Sequence, residues 1–273
     1  MTTKVRLDVT DGPTGSISTI ELVDPNGGNT IDFVFVDELA DAVRDIGPST
    51  SCITITARGK NFCLGGDLAG FASATSPDDH VGTLAIRLHE CLEALASLGV
   101  PIIVGVQGWS AGAGMSLALF GDILIAERSA KFRTAYGAVG LTPDGGMSWS
   151  LPRAVGRSVA LDLFLTRRAL GADEAHTLGA VSRVVDDGAS ADVVAELAAL
   201  IAASSASAVR ATRALVHEGL TSSFVDHLGA EARAIRKAAG GYDGREGVAA
   251  FLERRPAQFS TTTDESTDRK QPV

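Results

Sequence analysis

PIIVGVQGWSAGAGMSLALF, residues 101–120, reads as a strand, a glycine-rich turn and a helix in direct succession. Pro101 to Val106 is a short Ile/Val-rich run, the pattern of a buried strand. Gly108, Gly112 and Gly114 follow, and Met115 to Phe120 continues as an apolar, helix-like run. The first N–H groups of a helix have no partner within it and carry partial positive charge. A helix opened by small residues can therefore hold an oxygen that becomes negative during a reaction. The same Gly and Ala also suit close packing of a helix on a strand. Both readings stay open on this stretch alone.

Outward from it, strands and helices alternate up to about residue 186. Lys4 to Val9 and Ser16 to Val23 alternate apolar and polar residues around Asp11-Gly12-Pro13, a hairpin signal. From Asp32, the positions Val36, Leu39, Ala40 and Val43 recur at helical spacing and stop near Gly47-Pro48. Cys52 to Ala57 is a β-branched strand. Arg58 to Gly66 is a glycine-bearing loop, and Asp67 caps a short helix. Residues 73–79 read as a polar loop, and 80–98 as a long amphipathic helix. Asp122 to Ala126, Lys131 to Thr134 and Val181 to Val185 are further strands, with a loop at Gly140 to Gly146. Helices are expected over 157–167, 173–178, 190–203, 206–219, 224–238 and 244–254. The fold class is α/β with a helical C-terminal part.

Composition narrows the function. The 273 residues are 45% hydrophobic, enough for one large core. No apolar run approaches the roughly 18 residues of a membrane span, and the N-terminus lacks a signal-peptide core. The expected setting is cytoplasmic, with no membrane partner. A formal net charge of −9 without a basic cluster argues against nucleic acid. Cys52, Cys63 and Cys91 form neither a disulfide framework nor a metal-binding spacing, so no metal is expected.

One motif points to a hydrolase. Gly108-Trp109-Ser110-Ala111-Gly112 matches the G-x-S-x-G nucleophile elbow, with His176, His217 and His227 downstream as bases. The match is short and rests on residues common in this chain. A second loop, Asn61-Phe62-Cys63-Leu64-Gly65-Gly66-Asp67-Leu68, also follows a strand and precedes a helix. Two such loops can aim two backbone N–H groups at a single thioester oxygen.

Taken together, NFCLGGDL (61–68), QGWSAGAGMSLALFGDILIA (107–126), GLTPDGGMSWSLPRAVG (140–156) and EGVAAFLERRPAQF (246–259) resemble, in order, the signature segments of the enoyl-CoA hydratase/isomerase (crotonase) superfamily. The resemblance covers nearly the whole chain. It implies an α/β spiral of β-β-α units with a helical C-terminal trimerisation region. The implied division is an acyl-CoA-binding core over 1–200, a helical trimerisation region over 201–256 and a disordered tail over 257–273. The implied assembly is a homotrimer or a dimer of trimers. The implied ligand is an acyl-CoA thioester, with CoA part of the substrate and no separate cofactor.

By the same resemblance, the oxyanion hole is built from the N–H groups of Gly66 and Ala113. The family has glycine at 113, and the alanine adds one methyl to the site. Phe62, Leu64, Gly65, Asp67 and Leu68 fall in the loop that meets CoA, and Arg254 falls where a basic residue meets its phosphate. The two glutamates of family hydratases correspond to Ser116 and Tyr136, so two-carboxylate hydration is disfavoured. Asp144 falls where double-bond isomerases carry a carboxylate. A Pro-Asp-Gly turn accounts for Asp144 without chemistry, but the resemblance favours a proton-transfer role. Leu141 and Trp149 complete the expected pocket with Ser116 and Tyr136, and His89 reads as a surface or packing residue. The function expected is a 1,3-proton shift in an enoyl-CoA by Asp144. The alternatives are another crotonase reaction such as hydration, a serine hydrolase using Ser110, and an acyl-CoA-binding member without catalysis.

Overall fold

The computed structural model describes residues 3–261. Strands β1 (Val5–Asp11) and β2 (Ser16–Leu22) form an antiparallel hairpin, in register from Val5 opposite Leu22 to Asp11 opposite Ser16. The sheet then grows in parallel through β3 (Thr50–Ala57), β4 (Ile102–Val106), β6 (Ile123–Glu127) and β9 (Arg183–Val185). A second, three-stranded sheet joins β5 (Trp109–Ala111), β7 (Lys131–Arg133) and β8 (Leu170–Gly171). Thus β4 feeds β5 and β6 feeds β7, each a short strand of the other sheet. Single bridges extend the same habit to the earlier turns: Ile31 pairs with Gly66, and Cys63 with Ser110. The spiral of β-β-α units is present although the sequence carries no visible repeat.

The central strands are buried on both faces, which explains their unbroken apolar runs. Alternate residues divide between two cores. Cys52, Ile103 and Ile125 face α8 (Ser190–Ala202) through Val194, Leu197 and Ala198. Ile53, Ile102 and Val104 face the main core. Helix α1 (Phe33–Asp45) is capped by Asp32, whose carboxylate accepts from the Phe35 N–H at 2.9 Å. It buries Phe35, Val36, Leu39, Ala42 and Val43. Full burial of a side chain such as Phe35 contributes about 1.5–3 kcal/mol.

After the short α2 (Leu68–Ser73), helix α3 begins at Pro77 and runs to Ser97. The expected loop at 73–79 is therefore shorter. Pro77 occupies the first helical turn, where its missing N–H costs nothing. Asp78 and Asp79 complement the dipole there, and Ser76 Oγ bonds both carboxylates. Helix α4 (Ala113–Leu119) follows β5, and a short 3-10 turn (Tyr136–Ala138) follows β7. Helix α5 (Met147–Val155) was not expected, because it holds Pro152 in its interior. Next come α6 (Arg157–Thr166) and α7 (Ala172–Leu178).

Helices α9 (Ala206–Gly219), α10 (Phe224–Gly240) and α11 (Tyr242–Glu253) complete the described chain. Arg210 ties α9 to the core through the carbonyls of Leu98 and Thr50. The disordered tail expected from residue 257 is corrected at its start. The Gln258 N–H donates to Glu246, and Ser260 donates to Asp243 through both its N–H and its hydroxyl, so this stretch folds back on α11. Residues 262–273 lie outside the described residues. Among the described residues, no single helix is long and apolar enough to cross a membrane.

The packing reading of the 110–114 turn holds at one of its glycines. Gly114 serves packing, since a Cβ there would lie 2.4 Å from the Cys63 carbonyl oxygen. Gly114→Ala is expected to cost about 1–3 kcal/mol through overpacking. A lower urea midpoint with unchanged slope would show it.

Candidate active site

Two loops meet at the head of α4. The Ala111 N–H donates to the Cys63 carbonyl, and the Cys63 N–H donates to the Trp109 carbonyl. Gly112 adopts φ 51° and ψ −131°, a conformation essentially confined to glycine. Gly65 adopts φ +93°, and a Cβ on it would stand 2.8 Å from the Ala111 oxygen and 3.5 Å from the Ala113 nitrogen. The backbones of 65–66 and 111–113 therefore touch without side chains between them. Among the described residues, neither the Gly66 N–H nor the Ala113 N–H donates to a protein acceptor. Both border a cleft of about 130 Å³.

The walls of that cleft are apolar. Leu64, Leu68 and Phe71 come from the second loop and α2, while Val81, Leu84 and Ala85 come from α3. Val139 and Leu141 also line it, and Asp67, His80, Tyr136 and Asp144 supply polar side chains. The Tyr136 hydroxyl donates to Asp144 Oδ1 at 2.6 Å and lies 3.1 Å from Ser116 Oγ. Burial, reinforced by the Asp144 charge, pushes the Tyr136 phenol far above its usual range. It stays protonated and serves as a donor. Ser116 Oγ also donates to the Asp144 carbonyl at 2.9 Å. The positions counted in sequence as the two glutamates of family hydratases thus both touch Asp144.

The structure places the other expected site residues as follows. Gly65, Gly66, Asp67 and Ala113 border the cleft with Leu64, Leu68, Tyr136, Leu141 and Asp144. Asp67 also caps α2, accepting from the Ala69 N–H at 3.0 Å. Ser116 is buried and does not line the cleft, and it reaches it only through its contact with Tyr136. Phe62 is corrected: its side chain is in the main core, and only its backbone belongs to the loop. Trp149 is corrected as well. Met147 and Leu151, four residues apart, turn one face of α5 inward. Trp149 falls on the other face, 53% exposed, with the Arg153 guanidinium 4.0 Å over its ring. Arg254 ends α11 in a left-handed conformation, exposed and not brought to the cleft by its own chain.

The hydrolase reading fails on geometry. Ser110 sits in β5, fully buried, with no hydrogen-bond partner for its hydroxyl among the described residues. A nucleophile elbow exposes its serine next to a base. The three histidines are engaged elsewhere: His176 with the Val181 carbonyl, His217 with Asp122, and His227 with Ser222. Cys63 is no nucleophile either. Burial pushes its thiol up to about 12, and its Sγ donates to the Asn29 carbonyl.

Two participants escaped the sequence reading. His80 lines the cleft from α3, its ring edge-on to Phe33 at 5.0 Å. His89, expected on the surface or in packing, accepts a hydrogen bond from the Gly145 N–H at 3.0 Å. The helical spacing of Val81, Leu84, Ala85 and Leu88 was the available signal that α3 faces the site. A larger groove, about 620 Å³, runs between α1 and α3. It offers no comparable chemistry: its Arg87 already pairs with its Asp37 at 2.6 Å.

The chain is similar to known proteins over nearly its whole length. Residues 13–262 match the family Enoyl-CoA hydratase/isomerase. The 1,2-epoxyphenylacetyl-CoA isomerase of Escherichia coli is 36% identical over 248 residues, covering 89% of this chain and 95% of that protein. The crotonyl-CoA hydratase of Syntrophomonas wolfei is 31% identical over 239 residues, covering 86% and 91%. The crystal structure of an enoyl-CoA hydratase from Bacillus anthracis superposes with a TM-score of 0.87 at 25% identity, covering 94% of this chain and 99% of that one.

Proposed function

This chain belongs to the enoyl-CoA hydratase/isomerase family and has its crotonase fold, and on that premise we propose that it moves a double bond in an enoyl-CoA thioester. The observation that carries the reading is the Asp144 carboxylate, held by Tyr136 through one oxygen, in the same cleft as two unpartnered N–H groups. Oδ1 accepts from Tyr136, and no partner among the described residues bonds Oδ2. Oδ2 is the base. It takes a proton from C2 of a 3-enoyl thioester, and the electron pair moves into the carbonyl to give a dienolate. The Gly66 and Ala113 N–H groups hold the resulting oxyanion. Asp144 then returns the proton to C4, the C3=C4 pair accepting it as C2=C3 forms. A single carboxylate suffices, because the acid of the second step is the protonated base of the first. Hydration would instead require a group to activate water, and the two positions counted for that role hold a serine and a tyrosine.

Proton NMR of a 3-enoyl-CoA with the protein in D₂O tests this. The expected product is the conjugated 2-enoyl thioester, with deuterium at C4 to the extent that the protonated Asp144 exchanges with D₂O before it returns the proton. Hydration is tested with the 2-enoyl-CoA, whose conjugated double bond is the one that water adds across. A 3-hydroxyacyl product from it, with the 3-enoyl thioester left unchanged, would establish hydration instead, and binding of both thioesters without turnover of either would establish a binding protein. The assembly we propose is a homotrimer built through the C-terminal helices. Phe224, Val225, Ile235, Phe251 and Leu252 are exposed there, Phe251 to 82%, more apolar surface than a lone subunit keeps in water.

A further inference from the structure

The Asp144 loop is weak on its own. Gly145 and Gly146 both have positive φ, +58° and +77°, and consecutive glycines leave a loop many alternatives. Yet the peptide unit that joins residues 144 and 145 is held at both ends. Its carbonyl accepts from Ser116 Oγ at 2.9 Å, and its N–H donates to His89 Nε2 at 3.0 Å. The two tethers come from different helices, α4 and α3. Helix α3 is a firm base, since Leu88, Cys91, Leu92 and Leu95 anchor it in the core. Leu88 itself reaches the turn, within 3.7 Å of where a Gly145 Cβ would stand.

We propose that His89 is a positioning residue for Asp144, an inference that rests on the proton-transfer reading above. An acceptor at Nε2 requires a neutral imidazole with its proton on Nδ1. His89 touches neither the carboxylate nor the cleft surface. It fixes the peptide plane that follows Asp144, and with it the direction in which Oδ2 faces the C2–C4 span of the acyl group. The same helix walls the cleft with Val81, Leu84 and Ala85, so base and acyl group are indexed to a common support. Small displacements of a reacting group are costly: a misplacement of about 1 Å can lower a rate about 10²-fold.

The test uses the full chain with His89→Leu and His89→Gln. Leucine keeps the bulk and loses the acceptor, whereas the glutamine carboxamide oxygen can still accept. Two readouts are taken: turnover of 3-enoyl-CoA, and hydrogen exchange of the Gly145 amide by NMR. The expected result is faster Gly145 exchange in His89→Leu and a kcat about tenfold lower with KM nearly unchanged, as for a group acting on the transition state alone. His89→Gln recovers most of both. Unchanged Gly145 exchange in a folded His89→Leu would overturn the tether, and altered exchange with unchanged kcat would overturn the positioning role. Failure of the underlying reading looks different. In that case Asp144→Asn turns over like the wild type, or the wild type itself is inactive, while the exchange readout still reports on the tether.

Discussion

Asp144→Asn is expected to lower kcat for double-bond migration by about 10³-fold, within the range of about 10²–10⁴ that a positioned acid–base group contributes. The substitution is nearly isosteric. The Tyr136 hydroxyl, 2.6 Å from Oδ1, can donate to the carboxamide oxygen in the same way. Ser116 and His89 hold the backbone on either side, so the loop keeps its shape. What disappears is the basic oxygen, since a carboxamide cannot accept the C2 proton. Substrate binding depends on the apolar walls and the two N–H groups, so KM stays within about threefold. Following the conjugated thioester by its ultraviolet absorbance gives both constants. Any deuterium uptake should vanish together with turnover, because one group serves both steps. A variant within about tenfold of wild type would assign the proton to another group, since acid–base catalysis contributes more than that.

That Asp144 could be singled out from sequence reflects where its partners lie. Ser116, Tyr136 and Asp144 are fixed by chain spacing from two glycine loops, and the structure gathers all three within hydrogen-bond reach. Gly65 and Gly112 were legible because their left-handed backbones exclude other residues. The strands were legible because burial on both faces leaves an unbroken Ile/Val pattern. Trp149 was misplaced because Pro152 masked α5, and without that helix nothing shows that Met147 and Leu151 own the inward face. Phe62 was misplaced because a motif names residues without saying whether backbone or side chain does the contact. His89 was missed for a different reason. Its partner lies 56 residues away, and an α3 position beside Leu88 carries no local sign of the turn it will meet. Local pattern reports on helices, strands and glycine turns, whereas a long-range hydrogen bond between a side chain and a distant loop is visible only once the chain has closed.

The second large effect is expected at Ala113. Ala113→Pro should reduce kcat/KM by at least about 10²-fold, the typical loss when one oxyanion donor is removed. Ala113 is the first residue of α4, after Gly112 at its N-cap. Proline is well tolerated at that helical position, since the N–H there has no helical partner to lose. The fold should therefore survive, and thermal unfolding should show it. The pyrrolidine ring nonetheless deletes the N–H and puts a methylene where the oxygen would sit. Ala113→Gly separates these effects from the side chain. It keeps the donor and removes the methyl that borders the cleft. Its helix-propensity cost is about 1 kcal/mol in a helix interior and less at the first position. The glycine variant should thus stay active, and any gain with bulkier acyl groups would measure the crowding by that methyl. Equal loss in both variants would mean that the side chain matters, not the N–H, and that the thioester oxygen binds elsewhere in the cleft. Loss confined to proline places the oxygen at the head of α4, opposite Gly66, beside Gly65, where a Cβ would stand 2.8 Å from the Ala111 oxygen.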